Sequence, residues 1–178
     1  LLWPALIGLG VVVGALPSRL AEAGDAPVEL ARVQLAPIDA RKPSFNLDDL
    51  NRQLVSLADQ RSEILVVHFF ATWCEPCREE LPALNRLVAR TDPKQVRVLT
   101  ISVAEVDVRV RNFVEKLPVN FPVLLDRDRS VAKAWNVSAL PTTFILDRNL
   151  KARLYVERDY DWDRVDVREW LRSFGEGY

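Results

Sequence analysis

A continuous apolar run, Ile64-Leu65-Val66-Val67-His68-Phe69-Phe70, passes through Ala71-Thr72-Trp73 into Cys74-Glu75-Pro76-Cys77. Beyond it, Leu81, Leu84, Leu87 and Val88 recur at helical spacing. The β-branched run reads as a strand buried on both faces, and the later pattern as an amphipathic helix. A buried strand that hands over directly to a helix, with Cys-x-x-Cys at the junction, constrains the fold more than any other stretch.

The placement has chemical consequences. A helix N-terminus presents unpaired N–H groups and about half a positive charge, and both stabilise a thiolate, the reactive form of cysteine. Two intervening residues let the pair switch between dithiol and disulfide with little movement. The bland readings are a structural disulfide or half of a zinc site. A disulfide across so short a span closes almost no loop and adds little stability. Zinc needs three or four protein ligands, and the chain contains two cysteines and one histidine. A redox pair is the expectation.

Ala71-Thr72-Trp73-Cys74-Glu75-Pro76-Cys77-Arg78-Glu79-Glu80-Leu81-Pro82 resembles the active site of the thioredoxin superfamily, and within it the exported TlpA/ResA-like thiol:disulfide reductases. A second block, Trp135-Asn136-Val137-Ser138-Ala139-Leu140-Pro141-Thr142-Thr143-Phe144-Ile145-Leu146-Asp147, is similar to the segment that carries a cis-proline beside the cysteines in that family. The resemblance covers residues 43–174.

It implies a thioredoxin-like α/β fold: a mixed central β-sheet with helices on both faces, here preceded by an N-terminal hydrophobic helix. Residues 1–20 are expected to be a signal anchor or signal peptide, 21–42 a tether with a short strand near Val33-Gln34-Leu35, and 43–176 the thioredoxin-like domain. Leu1 to Ser18 carries no charge and as a helix reaches about 27 Å, nearly a bilayer core. The chain contains no Met, so its start is expected upstream. Retention as an anchor and cleavage after Ala21-Glu22-Ala23 both remain open. Either places the domain outside the cytoplasm, where disulfide chemistry persists.

Along the domain, Pro43–Leu47 and Leu54–Leu57 read as a hairpin about Asn51-Arg52, followed by a helical turn before Arg61. A helix is expected from Cys77 to about Arg90, kinked at Pro82. Val96–Ser102 is a strand. Val106, Val110, Phe113, Val114 and Leu117 mark one helix face, and Phe121–Leu125 returns to the sheet. Asp128 or Ser130 caps a short helix bearing Val131, Ala134 and Trp135. Thr142–Asp147 and Ala152–Val156 form an antiparallel pair. Asp161 or Asp163 caps a last helix bearing Val165, Val167, Trp170, Leu171 and Phe174. All six glycines lie at positions 8, 10, 14, 24, 175 and 177. Turns in the domain must therefore draw on the next most tolerant residue, and Asn51, Asn136 and Asn149 are expected at positive φ.

The site residues follow from both lines of reasoning. Cys74, ahead of the helix, is the expected nucleophile with the exposed sulfur, and Cys77 the resolving thiol. Glu75 and Pro76 should leave the thiolate less stabilised and the couple more reducing, unless Glu75 is only a solvated charge. The resemblance implies that Glu80 shifts the cysteine pKa values and passes a proton, unless it is a surface glutamate like Glu79. It also implies a cis Pro141, with the Leu140 backbone pairing with an extended substrate and metal ions kept from the thiols. Trp73 covers the site or packs in the core. His68 is expected as a satisfied core histidine rather than a base. The carboxylates of Glu157-Arg158-Asp159-Tyr160-Asp161-Trp162-Asp163 read as a solvated loop and helix cap rather than a metal site.

The expected activity is extracytoplasmic thiol:disulfide exchange, with the Cys74–Cys77 disulfide in place of any cofactor and no metal. By resemblance the partners are apocytochrome c haem-attachment cysteines or copper-site assembly proteins. A membrane thiol reductase would be the electron donor. A net charge of −1 without a basic stretch argues against nucleic acid. Rival readings are a disulfide-forming oxidase and a Cu(I)-binding thiol chaperone, since soft thiolates suit Cu(I). A peroxiredoxin is weaker, because its peroxidatic cysteine does not sit in Cys-x-x-Cys.

Overall fold

The computed structural model describes residues 36–175. The N-terminal hydrophobic helix and the strand expected at 33–35 lie outside the described residues. Twelve named elements follow in order: β1 (Ala36–Arg41), β2 (Asn46–Asp48), β3 (Leu54–Ser56), β4 (Ile64–Phe70), α1 (Glu75–Ala89), β5 (Val96–Val103), α2 (Asp107–Lys116), β6 (Val123–Asp126), α3 (Ser130–Ala134), β7 (Thr142–Asp147), β8 (Lys151–Val156) and α4 (Val167–Gly175). Among the described residues no helix is long and apolar enough to cross a membrane.

The six-stranded sheet has the order β1-β8-β7-β4-β5-β6, and β2 and β3 form a separate hairpin. β4 is an interior strand, parallel to β5 and antiparallel to β7, and all seven of its residues are buried. That accounts for its unbroken apolar sequence: a strand covered on both faces has no polar side. Side chains alternate across it. Ile64, Val66 and Phe70 join Leu81, Leu84 and Leu87 of α1, Val110 of α2, Trp162 and Trp170 in one apolar cluster. Leu65, Val67 and Phe69 join Val131 and Trp135 around α3, with Phe45 beside the hairpin, in the other. Helices therefore cover both faces of a mixed sheet. The four-residue side Ile64, Val66, His68, Phe70 has one polar member, His68, under α1.

β1 pairs with β8, so the sheet reaches into residues 36–41, which the sequence reading assigns to the tether. Pro37 and a mixed composition hide this strand. An edge strand tolerates proline because one side of its backbone has no partner strand, and the register is irregular between Pro37 and Ala40.

The turns also depart from expectation. Asn136 has positive φ, but at the two hairpins it is Arg52 and Leu150 that take it, one residue after Asn51 and Asn149. In each case an aspartate opens the turn. Asp49 Oδ1 accepts from the Asn51 and Gln53 N–H groups, and Asp147 Oδ1 from those of Asn149 and Lys151. The Arg52 and Leu150 N–H groups return to the Asp49 and Asp147 carbonyls. This is a three-residue loop, in which the left-handed position follows the turn instead of lying within it. The aspartate bonds replace the glycine that such a loop usually carries.

Helix caps shift for a related reason. The N-terminus of α3 is held by buried Asp126, which accepts from the Val131 and Ala132 N–H groups, while Asp128 accepts from Ser130. Asp166, not Asp161 or Asp163, accepts from Arg168 and Glu169 at the start of α4. Val106, expected on the buried face of α2, precedes that helix and is exposed, as is Ala134 of α3.

Candidate active site

β4 ends at Phe70, and α1 begins at Glu75 with Cys74 as its N-cap. Cys74 and Cys77 form a disulfide. Cys74 Sγ accepts from the Cys77 backbone N–H at 3.3 Å, so one of the otherwise unpaired donors of the first turn points at sulfur. Pro76, in the first turn, has no N–H to add. α1 continues unbroken through Pro82 to Ala89. Cys74 is only 6% exposed and Cys77 fully buried, so Cys74 is the more accessible of the pair although itself largely covered.

The other expected residues divide sharply by burial. Trp73 is 66% exposed, which removes the core-packing reading. With Val103, Ala104, Val137 and Leu140 it lines a cavity of about 200 Å³ that includes the residue before Cys74 and the residue before Pro141. Ala104 and Arg129, both on its wall, have positive φ, a conformation that costs a non-glycine residue energy and tends to occur at functional surfaces. The Leu140–Pro141 peptide bond is cis. Glu75 is exposed and pairs with Arg78 at 3.1 Å. Its charge is therefore partly offset and solvent-screened, which weakens its expected influence on the thiolate.

Glu80 stands one turn after Cys77 and is 4% exposed, unlike exposed Glu79. Its Oε1 accepts from the indole N–H of Trp162, and its Oε2 has no partner. Burial pushes its pKa up to about 8, opposed by the Trp162 hydrogen bond and reinforced by Asp159. A carboxyl group in this position holds its proton at neutral pH and can exchange it.

His68 is fully buried under α1. Its Nδ1 lies 2.9 Å from Thr143 Oγ1 and 4.0 Å from Glu80 Oε1, and its Nε2 has no partner. The expectation of a satisfied core histidine is thus half corrected. Burial pulls its pKa down to about 3, so the ring is neutral at physiological pH.

Two contributors were invisible in the sequence. Trp162 sits in an acidic segment that reads as surface loop, yet is fully buried against Glu80. Of its neighbours, Asp163 pairs with Arg86 and Asp161 with Arg164. Among the described residues no group of three or more His, Cys, Asp or Glu could hold a metal ion. Glu105, also buried, accepts from the Thr72 N–H, the Thr72 hydroxyl and the Ser102 hydroxyl. It ties the loop that delivers Cys74 to the end of β5. Removing a buried acceptor of three bonds strands its donors. Glu105→Ala is expected to lower unfolding stability by about 3 kcal/mol, read as a lower urea midpoint at unchanged slope. Neither residue carries a periodic or motif signal.

Comparisons with known proteins agree with this geometry. Residues 38–154 match the AhpC/TSA family. The thiol-disulfide oxidoreductase ResA of Bacillus subtilis is 38% identical over 105 residues, 59% of each protein. ResA of Geobacillus thermodenitrificans is 34% identical over 136 residues, covering 76% of this chain and 77% of that protein. Among solved structures, StoA from Bacillus subtilis has a TM-score of 0.60 at 20% identity, over 77% of this chain and 99% of that one. A secreted disulfide oxidoreductase of Mycobacterium tuberculosis, homologous to DsbE of E. coli, has a TM-score of 0.58 at 21% identity, over 74% and 94%. These structural likenesses speak for the fold. With the family match over most of the domain and the Cys-x-x-Cys pair at the strand–helix junction, the chain belongs to the AhpC/TSA family, and within it to the ResA-like thiol-disulfide oxidoreductases.

Proposed function

We propose that the Cys74–Cys77 pair reduces disulfides of protein partners outside the cytoplasm. The observation that carries this reading is the disulfide at the N-terminus of α1 with protonatable Glu80 buried one turn behind it. In the reduced protein Cys74 thiolate attacks one sulfur of the partner disulfide. That S–S bond breaks, a mixed disulfide forms, and the partner's leaving thiolate takes a proton from solvent. Glu80 carboxylate then removes the Cys77 proton, Cys77 sulfur attacks Cys74 sulfur, and the second partner thiolate leaves and is protonated. Two electrons pass to the partner. A dithiol donor reverses the sequence, and Glu80, now protonated, returns its proton to Cys77.

Trp73, Leu140 and the cavity wall offer an apolar surface for an extended partner segment, and the cis Leu140–Pro141 bond directly precedes β7. The ResA relatives are named thiol-disulfide oxidoreductases, which supports disulfide exchange as the reaction. Apocytochrome c haem-attachment cysteines and oxidised copper-site assembly proteins are the partners to test first. A membrane thiol reductase is the donor to test.

The potential of the Cys74–Cys77 couple, equilibrated against a dithiol buffer, tests the direction. Pro76 withholds an N–H from the first turn, which disfavours the thiolate and so favours the disulfide. The expected value is at or below about −230 mV, nearer thioredoxin at about −270 mV than a strong oxidant at about −120 mV. A value above about −150 mV would make the protein an oxidase.

A further inference from the structure

Among the described residues two buried side-chain polar atoms have no partner, Nε2 of His68 and Oε2 of Glu80. Both side chains are essentially inaccessible, at 0% and 1% exposure, and approach to 4.0 Å. Orphaned buried polar atoms are rare enough that each calls for an explanation. The groups facing Glu80 are few. His68 comes from β4, Trp162 from the 3-10 turn at 162–164, and Asp159 and the Tyr160 backbone from the loop before that turn, with Cys77 on its own helix. Thr143 of β7 lies within hydrogen-bond distance of the same Nδ1 that approaches Glu80.

The tautomer follows from these partners. With the proton on Nε2, a buried N–H would have no acceptor and a lone pair would face the Glu80 oxygen. With the proton on Nδ1, that N–H donates to Thr143 and turns its positive edge toward Glu80 Oε1, leaving only a lone pair unpaired. An orphan acceptor is the more tolerable of the two. As an acid, Glu80 has at Oε2 either an O–H without acceptor or an unpaired oxygen. As a carboxylate it is favoured by the Trp162 N–H, the Tyr160 backbone and the ring edge, because each turns a positive end toward it.

We propose that His68 is a positioning residue for Glu80, presenting a neutral imidazole N–H edge that lowers the cost of the carboxylate form Glu80 must enter to take the proton of Cys77. The ring remains neutral throughout, so no proton passes through it. This rests on the proton role assigned to Glu80 above. Without the ring edge, Glu80 would hold its proton more tightly and a smaller fraction would be ionised at neutral pH.

The test uses the full chain with carboxyl-¹³C-labelled glutamate. His68→Leu keeps an apolar volume in the core, whereas His68→Asn sets an amide N–H close to the place of Nδ1–H. In the oxidised protein the Glu80 titration midpoint is expected to rise by about one pH unit in His68→Leu and to return toward the wild-type value in His68→Asn. Turnover at pH 7 should fall about tenfold in His68→Leu, with the rising limb of the pH profile displaced upward by the same unit, and be largely restored in His68→Asn. In a Glu80→Gln background His68→Leu should change the rate by less than about twofold, because residues acting through one group are not additive. An unmoved Glu80 midpoint in folded His68→Leu would overturn the proposal, as would an equal loss of rate in the Glu80→Gln background. If the midpoint moves but Glu80→Gln turns over with an unaltered pH profile, the contact stands and the proton role of Glu80 falls.

Discussion

Cys74→Ser is expected to abolish insulin-disulfide reduction, by about a thousandfold or more, while Cys77→Ser accumulates a mixed disulfide that mass spectrometry detects as a covalent adduct. The asymmetry comes from burial. Cys77 is completely enclosed, so it cannot replace Cys74 as the attacking sulfur, and a serine hydroxyl at position 74 is protonated and a poor nucleophile toward sulfur. With Cys74 intact and Cys77 replaced, the first exchange proceeds and the second has no internal thiol to complete it. Wild-type turnover in Cys74→Ser would mean that the exchange runs elsewhere in the chain, and no other cysteine is present.

The second large effect concerns pH and stability. Glu80 has its pKa raised from 4.5 to about 8 by burial. Between those values the folded protein keeps a proton that the unfolded chain has released. Its contribution is therefore complete below about pH 4.5 and is lost as pH rises through about 8. His68 is lowered from 6.5 to about 3. Below about pH 6.5 the unfolded chain takes a proton that the folded ring refuses, so stability also falls as pH drops toward about 3. The two limbs leave a maximum between about pH 4.5 and 6.5. At about 1.4 kcal/mol per unit, the Glu80 shift is worth at most about 5 kcal/mol, of which about 2 kcal/mol falls above pH 6.5 where His68 no longer offsets it. Glu80→Gln keeps an oxygen for the Trp162 N–H but cannot ionise. Urea unfolding followed from pH 6.5 to 9, above the His68 limb, should show the wild-type midpoint falling until about pH 8 and that of Glu80→Gln nearly level. Parallel curves would place the Glu80 titration at an ordinary carboxylate value and remove the basis for its proton role.

The cysteine pair was legible in the sequence because everything that defines it is local. A strand buried on both faces must be apolar throughout, a helix facing a core must repeat at three and four residues, and the junction between them is read directly from residues 64–88. Glu80 was legible as a candidate from its position one turn after Cys77. Its distinction from Glu79 was not, since only packing against β4 and the indole of Trp162, 82 residues later, puts one of two adjacent glutamates inside. The turn residues show the same division on a smaller scale. A shortage of glycine announces that other residues must take positive φ. Which ones do so depends on aspartate hydrogen bonds that set the loop at three residues, and these move the strained position from Asn51 and Asn149 to Arg52 and Leu150.

Periodicity and the Cys-x-x-Cys spacing were sufficient to specify the strand, the helix and the cysteine pair at their junction, because each is a matter of neighbours along the chain; the thioredoxin-like fold class came from the family resemblance. Tertiary structure alone decided that β1 extends the sheet, that Glu105 holds Thr72, and that His68 and Glu80 are buried together. Burial and desolvation are set by whatever elements the fold stacks over a side chain, and here those elements come from β4, α1, β7 and the Trp162 turn. A proton affinity that depends on all four cannot be read from any one of them.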